Sequence, residues 1–133
     1  MNKIEHIGIA VKDLDAAETL YSKLLNTQPY KREVVESEGV TTSFFATGPN
    51  KIELLHATHS DSPIAKFIEK RGEGIHHIAF AVSDIDAEIK RLQDEGFTLI
   101  HQTPKDGADN KRIAFLHPKS SGGVLVELCA DKS

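Results

Sequence analysis

The sequence predicts an α+β protein built from two tandem βαβββ modules. A stretch that occurs twice, an alternation of period two that gives way to helical periodicity in each copy, and matching strand-like runs after each helix all point to it. "NKIEHIGIAVKDLDA" at residues 2–16 returns as "GEGIHHIAFAVSDIDA" at residues 72–87. Set in register from His6 and His77, seven of eleven positions are identical: His6/His77, Ile7/Ile78, Ala10/Ala81, Val11/Val82, Asp13/Asp84, Asp15/Asp86 and Ala16/Ala87. That is an internal duplication.

In "IEHIGIAV" the period is that of a strand. Ile7, Ile9 and Val11 share the face expected to pack, while Ile4, His6, Gly8 and Ala10 share a smaller one. The second copy puts Ile78, Phe80 and Val82 on the packed face and His77, Ala79 and Ala81 on the small one, so His76 points away from His77. Each strand runs into an acidic helix start, "KDLDAAETLYSKLL" and "SDIDAEIKRLQDEG", where Asp13 and Asp84 can accept from the free N–H groups of the first turn. The expected buried stripes are Leu14, Ala17, Tyr21, Leu24 and Leu25 in the first helix and Ile85, Ile89 and Leu92 in the second, which Gly96 ends. Three β-like runs follow each helix: "KREVVE", "TTSFFATG" and "KIELLHA", then "TLIHQT", "KRIAFLH" and "GVLVELCA". Between the modules "SPIAKFIEK" reads as a linker helix, with Ser62 as cap, Pro63 at the first helical position, and Ile64, Phe67 and Ile68 packing. "RGEGI" is the hinge into the second module. The expected organisation is one domain over residues 1–133, with module one at about 1–58, the linker helix at about 62–70 and module two at about 74–131.

Composition narrows the class. With 133 residues, 39% apolar and 27% charged, the chain suits one globular domain. No run approaches the roughly 18 apolar residues of a membrane helix, and the first residues carry no apolar signal core, so a cytoplasmic protein without a membrane partner is expected. A net charge of -4 and few aromatics argue against a nucleic-acid surface. Cys129, the single cysteine, has no partner for a disulfide or a CxxC pair and is expected to be a buried, inert thiol.

The duplication reaches the last strands, where "IELL" at residues 52–55 matches "VELC" at residues 126–129 and sets Glu53 against Glu127. Each module then carries one histidine and one glutamate, at nearly the same separation. A single His or Glu in a strand is ordinarily a surface or satisfied core residue. The same two types at matching places in both halves imply a shared constraint. Burying carboxylates without a compensating charge is costly. Imidazole nitrogens with carboxylate oxygens suit zinc, cobalt, nickel, manganese or iron(II), so His6, Glu53, His77 and Glu127 are the candidate metal ligands. His56 and His59 are read as part of a polar connection, His76 on a packed or interface face and His101 near a strand end. His117, in the loop "HPKSSGG", is a second-rank binding candidate.

Paired βαβββ modules bearing His6, Glu53, His77 and Glu127 resemble the vicinal oxygen chelate (glyoxalase/bleomycin resistance/dioxygenase) superfamily. "SPIAKFIEKRGEGIHHIAFAV", "IAFLHPKSSGGVLVELC" and the "EGV" at Glu38 to Val40 are similar to segments of its methylmalonyl-CoA epimerase family. The resemblance covers the whole chain. It implies modules that form a cupped, incomplete barrel around a metal site, and one divalent ion per chain, cobalt favoured over zinc, nickel and manganese. His6, His77 and Glu127 carry over as ligands, with Glu53 where some epimerases have glutamine. The implied activity, in propionate metabolism, is interconversion of (2R)- and (2S)-methylmalonyl-CoA by a homodimer that moves the C2 proton through an enolate.

Removing that proton places negative charge on the thioester oxygen, which a divalent ion stabilises. Inversion needs acid/base groups on both sides of C2, for which Glu53 and Glu127 are the catalytic candidates. Some family members carry a glutamate just after the Gly-Val, where this chain reads Thr41, Thr42 and Ser43, so Glu38 is the fallback base. Lys111, Arg112, His117 and Lys119, in the most basic stretch, are candidates for the anionic coenzyme A tail, against a plain solvated face. The rival activities are a glyoxalase I-type lactoylglutathione lyase and a metal-free small-molecule-binding protein of the same fold.

Overall fold

A computed structural model describes residues 1–132. The described elements follow the duplicated order: β1 (Lys3–Ala10), α1 (Leu14–Leu25), β2 (Lys31–Val35), β3 (Val40–Thr47), β4 (Asn50–Ala57), the linker helix α2 (Pro63–Arg71), β5 (Gly74–Ala81), α3 (Ile85–Asp94), β6 (Lys105–Asp106), β7 (Lys111–Phe115) and β8 (Val126–Asp131). Short 3-10 turns lie at Glu36–Glu38 and Pro118–Ser121. The chain divides into two compact units, His6–His76 and Met1–Glu5 with residues 77–132.

In the first of these, the strand order is β2-β3-β4-β1, with β1 parallel to β4 and the other pairs antiparallel. Asp13 starts α1 as expected, its carboxylate accepting from the Ala16 N–H at 3.0 Å. The helix packs Leu14 and Ala17 on Phe45 and Leu54, with Tyr21 and Leu25 at the margin. Leu24, expected in this stripe, is instead 69% exposed. At 100° per residue it lies well round the helix from Leu25, which takes the inward position in the last turn. The linker helix covers the opposite face: Ser62 caps it, Pro63 opens it, and Ile64 meets Ala10, Val40 and Leu55.

In the other unit, the order is β5-β8-β7-β6, with β5 parallel to β8. Asp84 caps α3 through the Ala87 N–H, and Ile85, Ile89 and Leu92 pack with Leu128, Ala114, Leu116 and Leu99. Met1–Glu5 belongs here: the Asn2 N–H donates to the Ala81 carbonyl at 2.8 Å and Asn2 Nδ2 to Ser83 Oγ at 3.0 Å. Cys129 is buried and in no disulfide, as expected.

A strand expectation is corrected. "TLIHQT" is not a strand: Leu99 makes a lone bridge to Leu116, and the two-residue β6 takes the edge position. The ladder stops because the His101 ring Nδ1 accepts the Phe115 N–H at 3.1 Å in place of a backbone carbonyl, and Pro104 follows. The face of β1 and β5 expected to pack does so through Ile9, Val11 and Val82, while Ile7, Ile78 and Phe80 are half-buried and the smaller face, with His6, Gly8, Ala10, His77 and Ala79, is buried as well. In the first unit α1 sits over β3 and β4, and the small side chain of Ala10 lets α2 approach closely.

Candidate metal and proton-transfer site

Directly paired strand residues point to the same side of a sheet. In the His6–His76 unit Gly8 pairs with Glu53 and His6 with Lys51 across β1 and β4, and Glu53 pairs with Phe44 across β4 and β3. His6, Glu53 and Phe44 therefore share one face. His6 Nδ1 lies 3.1 Å from Glu53 Oε2, and the side chains are 5% and 7% exposed. Thr42, 1% exposed, stands on this face opposite Leu55 and Glu33.

The second unit repeats the arrangement. Ala79 pairs with Glu127 across β5 and β8, and Glu127 with Phe115 across β8 and β7. His77 Nε2 lies 3.3 Å from Glu127 Oε1, both side chains being 6% exposed, and the His77 ring meets Phe115 edge-on at 5.6 Å between centroids. The duplication thus includes a phenylalanine opposite each glutamate, which the sequence reading missed. The signal was available in the hairpin register once both final strands had been aligned. Glu5 was missed as well: it is buried, with the Cys129 thiol 3.9 Å from its Oε1.

Two carboxylates this deeply buried call for compensating positive charge. Imidazole and carboxylate donors suit a divalent transition metal, and each unit offers one such pair, His6 with Glu53 in one and His77 with Glu127 in the other.

The remaining candidates lie elsewhere. Glu38 ends the turn Glu36–Glu38 and is half-buried. Lys111 is ion-paired with Asp131, and Arg112 Nη1 lies 3.7 Å from Asp86. His117 caps the turn Pro118–Ser121, its Nδ1 accepting the Lys119 N–H at 3.2 Å, and Lys119 is exposed. His56, expected in a connection, is part of β4 and has a buried Nδ1 without a hydrogen-bond partner. The β4 pairing with β3 runs past Leu55 to Ala57, which carries the strand through it. His59 packs beneath Gly39, and His76 meets the Phe67 ring edge-on at 4.9 Å.

The sequence model of the Glyoxalase/Bleomycin resistance protein/Dioxygenase superfamily matches residues 5–115. The chain belongs to this superfamily. It falls within the methylmalonyl-CoA epimerase family, whose members are isomerases. It is 42% identical over 130 residues to the ethylmalonyl-CoA/methylmalonyl-CoA epimerase of Cereibacter sphaeroides, covering 96% of this chain and 97% of that protein. It is 39% identical to the human mitochondrial methylmalonyl-CoA epimerase over 96% of this chain and 73% of the relative. The structure of a methylmalonyl-CoA epimerase in complex with methylmalonyl-CoA and NH4+ has the same fold, with a TM-score of 0.95 and 37% identity over 100% of this chain and 96% of that one. The α+β architecture of paired βαβββ modules is that of these epimerases.

Proposed function

We propose that the protein epimerises methylmalonyl-CoA at C2, with His6, His77, Glu127 and Glu53 holding one divalent ion, cobalt the favoured metal. The observation that carries this reading is the buried His–Glu pair repeated in each module, in a chain 42% identical to an ethylmalonyl-CoA/methylmalonyl-CoA epimerase.

C2 lies between a thioester and a carboxylate, and loss of its proton leaves an enolate whose charge rests on the thioester oxygen. When bound, the ion supplies positive charge for that oxygen. Glu53 and Glu127 are the assigned proton-handling groups, one taking the C2 proton and the other returning one to the opposite face. Phe44 and Phe115 each stand opposite one of these glutamates on the neighbouring strand. Thr42 can donate or accept a hydrogen bond but is no base at neutral pH. The His6 and His77 imidazoles orient the carboxylates. Lys111, Arg112, His117 and Lys119 are secondary assignments for the coenzyme A tail. We also assign a homodimer and a cytoplasmic location; no helix among the described residues is long and apolar enough to cross a membrane.

The test is turnover of one methylmalonyl-CoA epimer by metal-loaded protein, beside an assay with methylglyoxal and glutathione. Epimerisation without lactoylglutathione formation is expected. The reverse result would overturn the reading.

A further inference from the structure

Two lysines converge on the ring that faces Glu53. Across β2 and β3 Lys31 pairs with Phe44, and Phe44 in turn pairs with Glu53, so Lys31, Phe44 and Glu53 form one row on one face. Lys51 stands on the same face, two residues before Glu53 and paired with His6. The Lys31 ammonium lies 5.0 Å from the centroid of the Phe44 ring and that of Lys51 6.0 Å. Phe44 is fully buried, while Lys31 keeps 38% of its side chain exposed, so the ammonium groups stand at the rim of the surface that holds Glu53 and His6.

A phenyl ring attracts an ammonium through its quadrupole without cancelling its charge. Two positive charges fixed over one neutral ring create a positive potential there, and holding the long side chains in place lowers the entropy lost when an anion binds. Lys31 also contacts Glu33 at 3.3 Å, so part of its charge is shared. In the basic stretch of the other unit, Lys111 and Arg112 face Asp131 and Asp86, and Lys132 faces Asp106 at 3.3 Å.

We infer that Lys31 and Lys51, held over Phe44, form an anion-binding lip for a carboxylate or phosphate of the substrate on the Glu53 face. The inference rests on the acyl-CoA reading above. An acyl-CoA with a free carboxylate carries such oxygens at both ends, and the lip recognises their shared chemistry.

The test compares wild type with Lys31→Gln, Lys51→Gln, the double variant and the charge-keeping pair Lys31→Arg/Lys51→Arg. The double Gln variant is expected to raise KM for methylmalonyl-CoA by about tenfold, as for a lost charge-assisted hydrogen bond. The effect falls on KM rather than kcat, the salt dependence of kcat/KM flattens, and the Arg pair restores most of the affinity. Methylmalonyl-pantetheine, which lacks the phosphates, separates the sources: a penalty that persists assigns the carboxylate, and one that vanishes assigns a phosphate. Calorimetric titration with coenzyme A alone and with malonate alone reads the lip independently of turnover. If wild type fails to epimerise yet binds either anion, and the double Gln variant loses that binding, the lip stands and the epimerase reading falls. Unchanged KM, salt dependence and anion binding in a folded double Gln variant would overturn the lip.

Discussion

Glu18 on α1 accepts hydrogen bonds from Arg32 Nε at 2.9 Å and from the buried Ser43 hydroxyl at 2.5 Å, while Arg32 Nη2 reaches Asp15 at 2.5 Å. The Arg32 hydrogen bond, aided by Ser43 and the Arg32 charge, holds the Glu18 carboxyl below its usual range against the opposing effect of burial. A carboxyl with a lowered folded-state pKa stabilises the fold above its unfolded pKa, and that contribution is lost as pH falls through the folded value. Glu18→Gln should therefore be less stable than wild type at pH 7, with the gap closing in acid below about pH 4.5, as urea unfolding across pH 7 to 3 would show. At the proposed site, Glu127→Gln should keep appreciable metal and lose epimerisation by about 100-fold or more. His6→Ala or His77→Ala should lose metal and C2 exchange together, which metal analysis beside the exchange assay would separate. His6, Glu53, His77 and Glu127 were legible because the duplication marks them twice. Phe44 and Phe115 required the hairpin register in addition to the duplication, and the Glu18–Arg32–Ser43 cluster was not legible, since it depends on which helix face lies over which strand.

Helices were the most readable elements because their signals are local. Asp13, Ser62 and Asp84 each accept the N–H three residues on, as their positions before an apolar run predict. Asp84→Ala should cost about 1 kcal/mol in unfolding free energy and leave metal binding intact. Gly39→Ala should cost more than that: φ is +62° and an added Cβ would stand 2.7 Å from the Ser62 Cβ and 2.9 Å from the His59 ring. Thermal unfolding of the two variants side by side checks the order. The strand expected at "TLIHQT" failed for the opposite reason, because its β-like composition could not reveal that a His101 ring nitrogen takes the Phe115 N–H. Leu24 failed through geometry, since a stripe that admits both Leu24 and Leu25 is wider than the surface α1 has to cover.

For the whole molecule, the duplication foretold two units of like construction, each with a parallel strand pair bearing the His and Glu and an antiparallel partner bearing the phenylalanine. It did not foretell that Met1–Glu5 would join the second unit through Asn2, because those bonds are set by position rather than by any motif. The proposed homodimer should sediment as a dimer at micromolar concentration, and a monomer there would contradict it. The most direct test of the central claim is deuterium wash-in at C2 of a single methylmalonyl-CoA epimer, followed in D2O with metal-loaded and with chelator-treated protein. The account predicts exchange and epimer formation with the loaded protein, and neither after chelation while the fold persists. No exchange above the buffer rate with loaded protein, or undiminished exchange without metal, would contradict it.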